Sequence, residues 1–195
     1  WKSNKNEIII QENIHYQNNP ILLHHDIQLT DENLNVFKDE FYTEITKKNI
    51  LNKINHRVLL NTTIGHTICM NSKALLTLKN YPYHSNIIMH DWFWAAIIEN
   101  SGSVKFIDKK LSLYRQHNNN ILGANLLKKN ILKRIFNNIQ LAFKTAKQVI
   151  YLEKILDKKL DILVTSKVLL KVVEIKNKIL IITTLLFHAI FKRIK

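Results

Sequence analysis

Beyond Gly123 the chain contains neither glycine nor proline. From Asn125 to Lys195 apolar residues recur at spacings of three and four among lysines, as in "LLKKNILKRIFNNIQLAFKTAKQVIYLEKIL". A stretch without the residues that break helices or turn strands has one regular solution, a run of amphipathic basic helices. Its last apolar piece, Ile179 to Phe191, falls short of the roughly 20 apolar residues that a membrane span needs. The piece is followed by "KRIK", which suits a helix lying in the interface of an anionic bilayer. A helix packed on the preceding domain needs the same apolar face, so the pattern leaves both arrangements open.

Ahead of this tail the pattern is mixed. "NEIIIQENIHYQ" has helical spacing and ends at Pro20, and the run "ILLHHDIQL" reads as a buried strand. In "TDENLNVFKDEFYTEIT", Asp31 and Glu32 stand where a turn or a helix start belongs. "HRVLLNTTIGHTICMNSKALLTLKN" reads as helix, loop, strand and short helix, with the Ser72 hydroxyl placed to cap the last of these. "HDWFWAAIIENSG" is a helix that stops at Gly102. "SVKFIDKKLSLYRQH" reads as two short strands around an Asp-Lys-Lys turn. Strands alternating with helices predict an α/β layered domain over 1–124, followed by the helical basic tail over 125–195.

Hydrophobic residues make up 46% of the 195, enough for a real core. Net charge is +14, which favours anionic partners such as phosphates, nucleic acid or an acidic membrane surface. The single cysteine, Cys69, lies in "IGHTICMN" and reads as a small buried hydrophobe. No glycine-rich phosphate loop, internal repeat or recognised nucleic-acid motif accompanies the charge.

The chemistry-bearing residues cluster between Met89 and Ala124. Asp91 stands at a helix start, where a carboxylate is favoured by the free N–H groups; there it serves either as a cap or as a general base. Trp92 and Trp94 beside it would partly desolvate it, which suits the second role. Arg115 and His117 alternate along one strand end and so share a face, a suitable receiver for a phosphate or diphosphate.

These residues bring a resemblance. "HDWFWAAIIENSGSVKFIDKKLSLYRQHNNNILGA" resembles the C-terminal signature of family-2 glycosyltransferases, in particular their rhamnosyltransferase-like branch. That branch carries a His-Asp-Trp helix, a glycine, a strand and Tyr-Arg-Gln-His-Gly-Asn-Asn-x-x-Gly. Asn118 replaces the glycine after the histidine here, while Asn119, Asn120 and Gly123 keep the rest. "ILLHHDIQLTDENLNV" is similar to the family's strand and Asp-x-x-Leu-x-Asp-Glu-Asn segment. "NTTIGHTICMNSKALL" is similar to its acceptor-side loop. The match covers Trp1 to Ala124.

The resemblance implies the C-terminal half of a GT-A, Rossmann-like domain that transfers a sugar from a nucleotide-sugar donor with inversion. It makes Asp91 the catalytic base and puts Arg115 and His117 on the donor diphosphate. His117 is then also a candidate ligand for a divalent metal, Mg or Mn. Gly65, His66, His90 and Trp92 are placed near the acceptor, a glycan or lipid-linked sugar of a cell-surface polysaccharide such as lipopolysaccharide. The tail would hold the enzyme peripherally on the inner, cytoplasmic face of the plasma membrane. The family's nucleotide-binding half and its Asp-x-Asp-Asp metal motif precede a tryptophan that matches Trp1. The chain is therefore expected to be the C-terminal part of a transferase, inactive alone. Two other classes are weighed beside it. "HHD" at His24 to Asp26 and "HD" at His90 to Asp91 superficially fit an HD-type metal-dependent phosphohydrolase. The charge fits a non-catalytic basic module for membranes or nucleic acid.

Overall fold

The computed structural model describes residues 1–14, 18–43, 46–47, 51, 57–116, 131–157, 162–173 and 175–194. Helix α1 spans Lys5–Ile14, strand β1 Ile21–Thr30 and strand β2 Val36–Lys38. A short 3-10 turn at Gly65–Thr67 leads to β3, Cys69–Met70, and α2, Ser72–Lys79. Helix α3, His90–Ser101, feeds β4, Ser103–Arg115. Three helices follow: α4 at Ile131–Ile155, α5 at Ile162–Val172 and α6 at Ile175–Arg193. The architecture is mixed α/β, an open four-stranded sheet with helices.

Strand β1 is the centre of that sheet. Its apolar run predicts burial on both faces, and every residue except Gln28 is buried. β4 runs parallel beside it along its whole length. β3 pairs antiparallel with Leu22 and Leu23, and β2 with Leu29 and Thr30. Alternation sends Ile21 and Leu23 toward α1, where Ile8, Ile9, Ile107 and Leu111 meet them. It sends Leu22 toward α2 and α3, against Ala74, Ala95 and Ile98.

Strand β4 differs from its sequence pattern. The Asp-Lys-Lys segment is not a turn between two strands but an irregularity within one strand of 13 residues. His25 faces Ile107, yet Asp26 already faces Lys110. Ile27 then faces Ser112, so the extra residues, Asp108, Lys109 and Leu111, all belong to β4, and the ladder resumes beyond them. Ion pairs hold the displaced residues: Asp108 meets Lys47 at 2.9 Å and Lys110 meets Asp39 at 2.5 Å.

Two further expectations change. Asn71, not Ser72, caps α2; its Oδ1 accepts from the Ala74 N–H at 2.9 Å. The same oxygen accepts from the Ile21 N–H, so the cap also ties α2 to the sheet. Arg57 to Leu60 form turns and a bend rather than a helix, because Arg57 is drawn inward to Glu99 of α3. The Asp31 segment resolves as a turn. The carboxylate of Asp31 accepts from the N–H groups of Asn33 and Asn35, and Leu34 takes a left-handed conformation with φ 68°.

The tail helices are amphipathic with two uses. Their inner residues Val149, Leu152, Ile162, Leu169 and Ile181 share one core with Phe93, Ala96 and Ile97 of α3. α4 and α6 pack on each other, joined by Glu153 with His188 and Lys192. Outward, Ile135, Phe136, Ile139, Ile182, Leu186 and Ile190 stay exposed. Among the described residues no helix is long and apolar enough to cross a membrane.

The join between α3 and β4 depends on Gly102. A Cβ there would lie 2.1 Å from the carbonyl oxygen of Pro20, the same oxygen that accepts from Ser103 N–H at 2.9 Å. Gly102→Ala must push β4 away from β1 at its first bond. We expect a loss of about 1–3 kcal/mol in denaturant unfolding, the usual cost of an intruding methyl group; an unchanged midpoint would mean that this contact does not set the join.

Candidate active site

Asp91 is the second residue of α3, after the extended Met89. It is 4% exposed, and its Oδ1 accepts from the Trp92 N–H at 2.8 Å. The carboxylate thus satisfies a helix-start donor with one oxygen. The other, Oδ2, faces Gly65. A Cβ added to Gly65 would stand 3.7 Å from that oxygen and 3.1 Å from His90 Nε2. The absent side chain of Gly65 is therefore what leaves space in front of the acid and the imidazole.

The loop opposite is lashed to α3. Thr63 Oγ1 donates to the Asp91 carbonyl at 3.2 Å, and Asn61 Oδ1 accepts from the Thr63 N–H at 3.0 Å. The 3-10 turn that follows presents His66. Its ring stacks on Tyr114 with centroids 5.0 Å apart, and its Nε2 lies 3.2 Å from Ser112 Oγ. His90 is exposed and packs edge-on against Trp94 at 4.9 Å. Gly65, His90 and Asp91 thus come together between the turn and the start of α3, with the His66 ring turned to β4.

The other candidates are placed differently. Trp92 is buried, and its indole N–H donates to the Arg57 carbonyl, so it forms an inner wall of this region. Arg115 is the exposed last residue of β4. Alternation turns Ser112 and Tyr114 toward His66 and sends Arg115 off the other side of the strand. His117, proposed for diphosphate and metal, lies outside the described residues, as do Asn119, Asn120 and Gly123.

The "HHD" run divides across the sheet. His24 Nε2 lies 3.3 Å from an Arg57 nitrogen, beside Tyr42 and Phe106. Asp26 is fully buried, and its Oδ1 accepts from the N–H groups of Ile27, Phe41 and Tyr42, while Oδ2 meets Lys47 at 3.5 Å. Burial outweighs these contacts and holds the Asp26 carboxyl above its usual range. Among the described residues no three of His, Cys, Asp and Glu converge as metal ligands.

The sequence marked His25 only as the middle of the "HHD" run, a candidate metal motif. It is fully buried, with Nδ1 donating to the Asp26 carbonyl at 2.7 Å and Nε2 without a hydrogen-bond partner. Its pKa is pushed down to about 4, chiefly by burial; the hydrogen bond to Asp26 opposes this, and the charges of Lys5 and His66 add to it. His66 is held below its ordinary value by burial and then by Lys5. The signal was present as an imidazole inside an apolar strand, but its neighbours come from α1 and the 3-10 turn.

This burial has a pH signature. The unfolded chain takes up a proton on His25 near 6.5, whereas the folded chain resists until about 4. Stability is therefore intact above pH 6.5 and is lost as pH falls toward 4, at up to about 1.4 kcal/mol per pH unit. Thermal midpoints measured from pH 7 to 5 should fall for the wild-type chain and fall less for His25→Gln. Equal slopes would place the His25 ring in contact with water.

No family model, no curated protein and no solved structure matches the chain. Its geometry and the resemblance of its motifs are what carry a functional reading.

Proposed function

We propose that the chain is the acceptor-side, C-terminal part of a GT-A glycosyltransferase of family 2, joined in function to a nucleotide-binding half. The observation that carries this reading is Asp91. It is an almost buried carboxylate with one oxygen engaged by its own helix and the other facing a glycine, beside an exposed imidazole. A general base needs a fixed carboxylate and an open approach for a hydroxyl.

In the proposed reaction the acceptor hydroxyl lies over Gly65 and donates to Asp91 Oδ2. The hydroxyl oxygen bonds to the anomeric carbon of the donor from the side opposite the nucleoside diphosphate. The bond from that carbon to the diphosphate breaks, its electron pair leaves with the diphosphate, and the proton passes to Asp91. His66 and His90 line the acceptor approach, and Trp92 backs it from inside. Arg115 and His117 serve the departing diphosphate in this reading. Mg or Mn would steady the same diphosphate. The described residues supply no ligand set for it, so His117 and the nucleotide-binding half would hold it. The outward apolar faces of α4 and α6, flanked by lysines, fit attachment to an anionic membrane that carries a lipid-linked acceptor.

The test is Asp91→Asn in the chain together with its nucleotide-binding half. Asparagine keeps an oxygen for the Trp92 N–H, so the fold and donor binding should persist. Sugar transfer should fall by about 10²–10⁴, the usual contribution of a general base. Radiolabel transfer gives the rate and calorimetry the donor affinity. Transfer at the wild-type rate would leave Asp91 as a helix cap.

A further inference from the structure

Away from the Asp91 region, a cleft of about 370 Å³ opens between the loop ahead of α3 and the middle of α4. Ser85, Asn86 and Ile88 line it on one side, and Phe143, Lys144 and Lys147 on the other. Both lysines are exposed and stand one turn apart on the same side of the helix. Neither pairs with a carboxylate among the described residues. Lys147 Nζ sits 4.5 Å over the Phe143 ring, at the border of the apolar face.

The cleft is built rather than incidental. The Ile88 N–H donates to Gln148 Oε1 at 2.9 Å, and Gln148 is fully buried. The His84 ring accepts from the Asn86 N–H at 3.1 Å and stacks on Tyr151 with centroids 4.5 Å apart. Tyr151 in turn donates its hydroxyl to the Pro82 carbonyl. Three side chains of α4 or stacked on it thus fix the loop that forms the cleft wall.

Phe143 belongs to two surfaces at once. It lines the cleft, and it meets Phe187 and Phe191 edge-on at 5.5 Å and 5.2 Å. From there the exposed apolar row continues through Ile139, Phe136, Leu186 and Ile190. Two ammonium groups with hydroxyl and amide donors at one end of an apolar face match one kind of ligand, an anionic head attached to a hydrocarbon chain. A phosphate with two ionisable oxygens offers acceptors to both lysines together, which a phosphodiester does less well.

We infer that this cleft binds the terminal phosphate of a membrane lipid, with the lipid chain lying on Phe143, Phe187 and Phe191. The inference rests on the membrane-surface reading of α4 and α6 and does not depend on sugar transfer.

The experiment is co-sedimentation of the full chain with phosphatidylcholine vesicles containing phosphatidic acid or phosphatidylglycerol, matched in measured surface charge. Binding to phosphatidic acid should be roughly tenfold tighter, because at equal surface charge only its phosphomonoester offers two ionisable oxygens to both lysines together. Lys144→Gln with Lys147→Gln should remove that preference and keep the weaker binding to phosphatidylglycerol. Phe143→Ser should weaken binding to both lipids. Equal binding of the wild-type chain to the two vesicles would overturn the cleft proposal and leave the membrane reading standing. No binding to either vesicle at low salt would overturn both. Calorimetry with inorganic phosphate separates the remaining case: equal vesicle binding with phosphate bound through the two lysines would make the cleft a site for free phosphate.

Discussion

The guanidinium of Arg57 lies where four segments meet. It pairs with Glu99 of α3 at 2.5 Å, approaches His24 of β1, and donates to the Leu51 carbonyl, while its own carbonyl accepts from Trp92. Both partners of the ion pair are almost sealed from water. Burial outweighs the attraction of Arg57 and holds the Glu99 carboxyl above its ordinary range. A pair of this kind contributes little net stability but strongly penalises any arrangement in which one partner is left alone. Its main effect is directional. It fixes how α3 lies on β1, and the start of α3 carries Asp91.

A second constraint acts from the tail. The inner faces of α4, α5 and α6 complete the core under α3, so the helices after residue 130 are part of what holds the candidate site. Gln148 reaches from α4 to the backbone of Ile88, just before His90 and Asp91. The loop between Tyr81 and Met89 is thus stretched between two helices and has little freedom to vary the position of the acid.

The elements with strong local patterns were legible in the sequence. β1 showed itself by an apolar run too short for a helix, and α3 by its spacing and by Gly102. The errors share a cause. Asp-Lys-Lys in β4 has the composition of a turn, yet the register of β1 and the carboxylates of Asp39 and Glu40 keep it in the strand. Asn71 and Ser72 are both good caps, and the extra bond from Ile21 selects Asn71. In the tail, apolar residues occupy inner and outer faces alike, so periodicity predicted helices without deciding between packing and exposure. Of the candidate site, Gly65 lies against His90 and Asp91, while the ring of His66 is held by Tyr114 and Ser112. Ser112 was not singled out, and His25 was read only as part of the "HHD" run, since only the pairing of distant strands brings them near His66. Arg115 shows the reverse: the alternation that grouped it with His117 also turns it away from Tyr114.

Strand β4 also has a solubility consequence. It pairs with β1 alone among the described strands, so its far side is the rim of the sheet. Among the described residues the Lys2 N–H reaches this edge at the Leu111 carbonyl, and backbone groups left unpaired on such a rim are the usual route to edge-to-edge aggregation. Lys105, Asp108, Lys109, Lys110 and Arg115 place charge along this strand, and the irregularity at Asp108 interrupts its straightness. The same Asp-Lys-Lys segment that imitates a turn therefore acts as a gatekeeper, making the rim a poor template for a second copy of the chain.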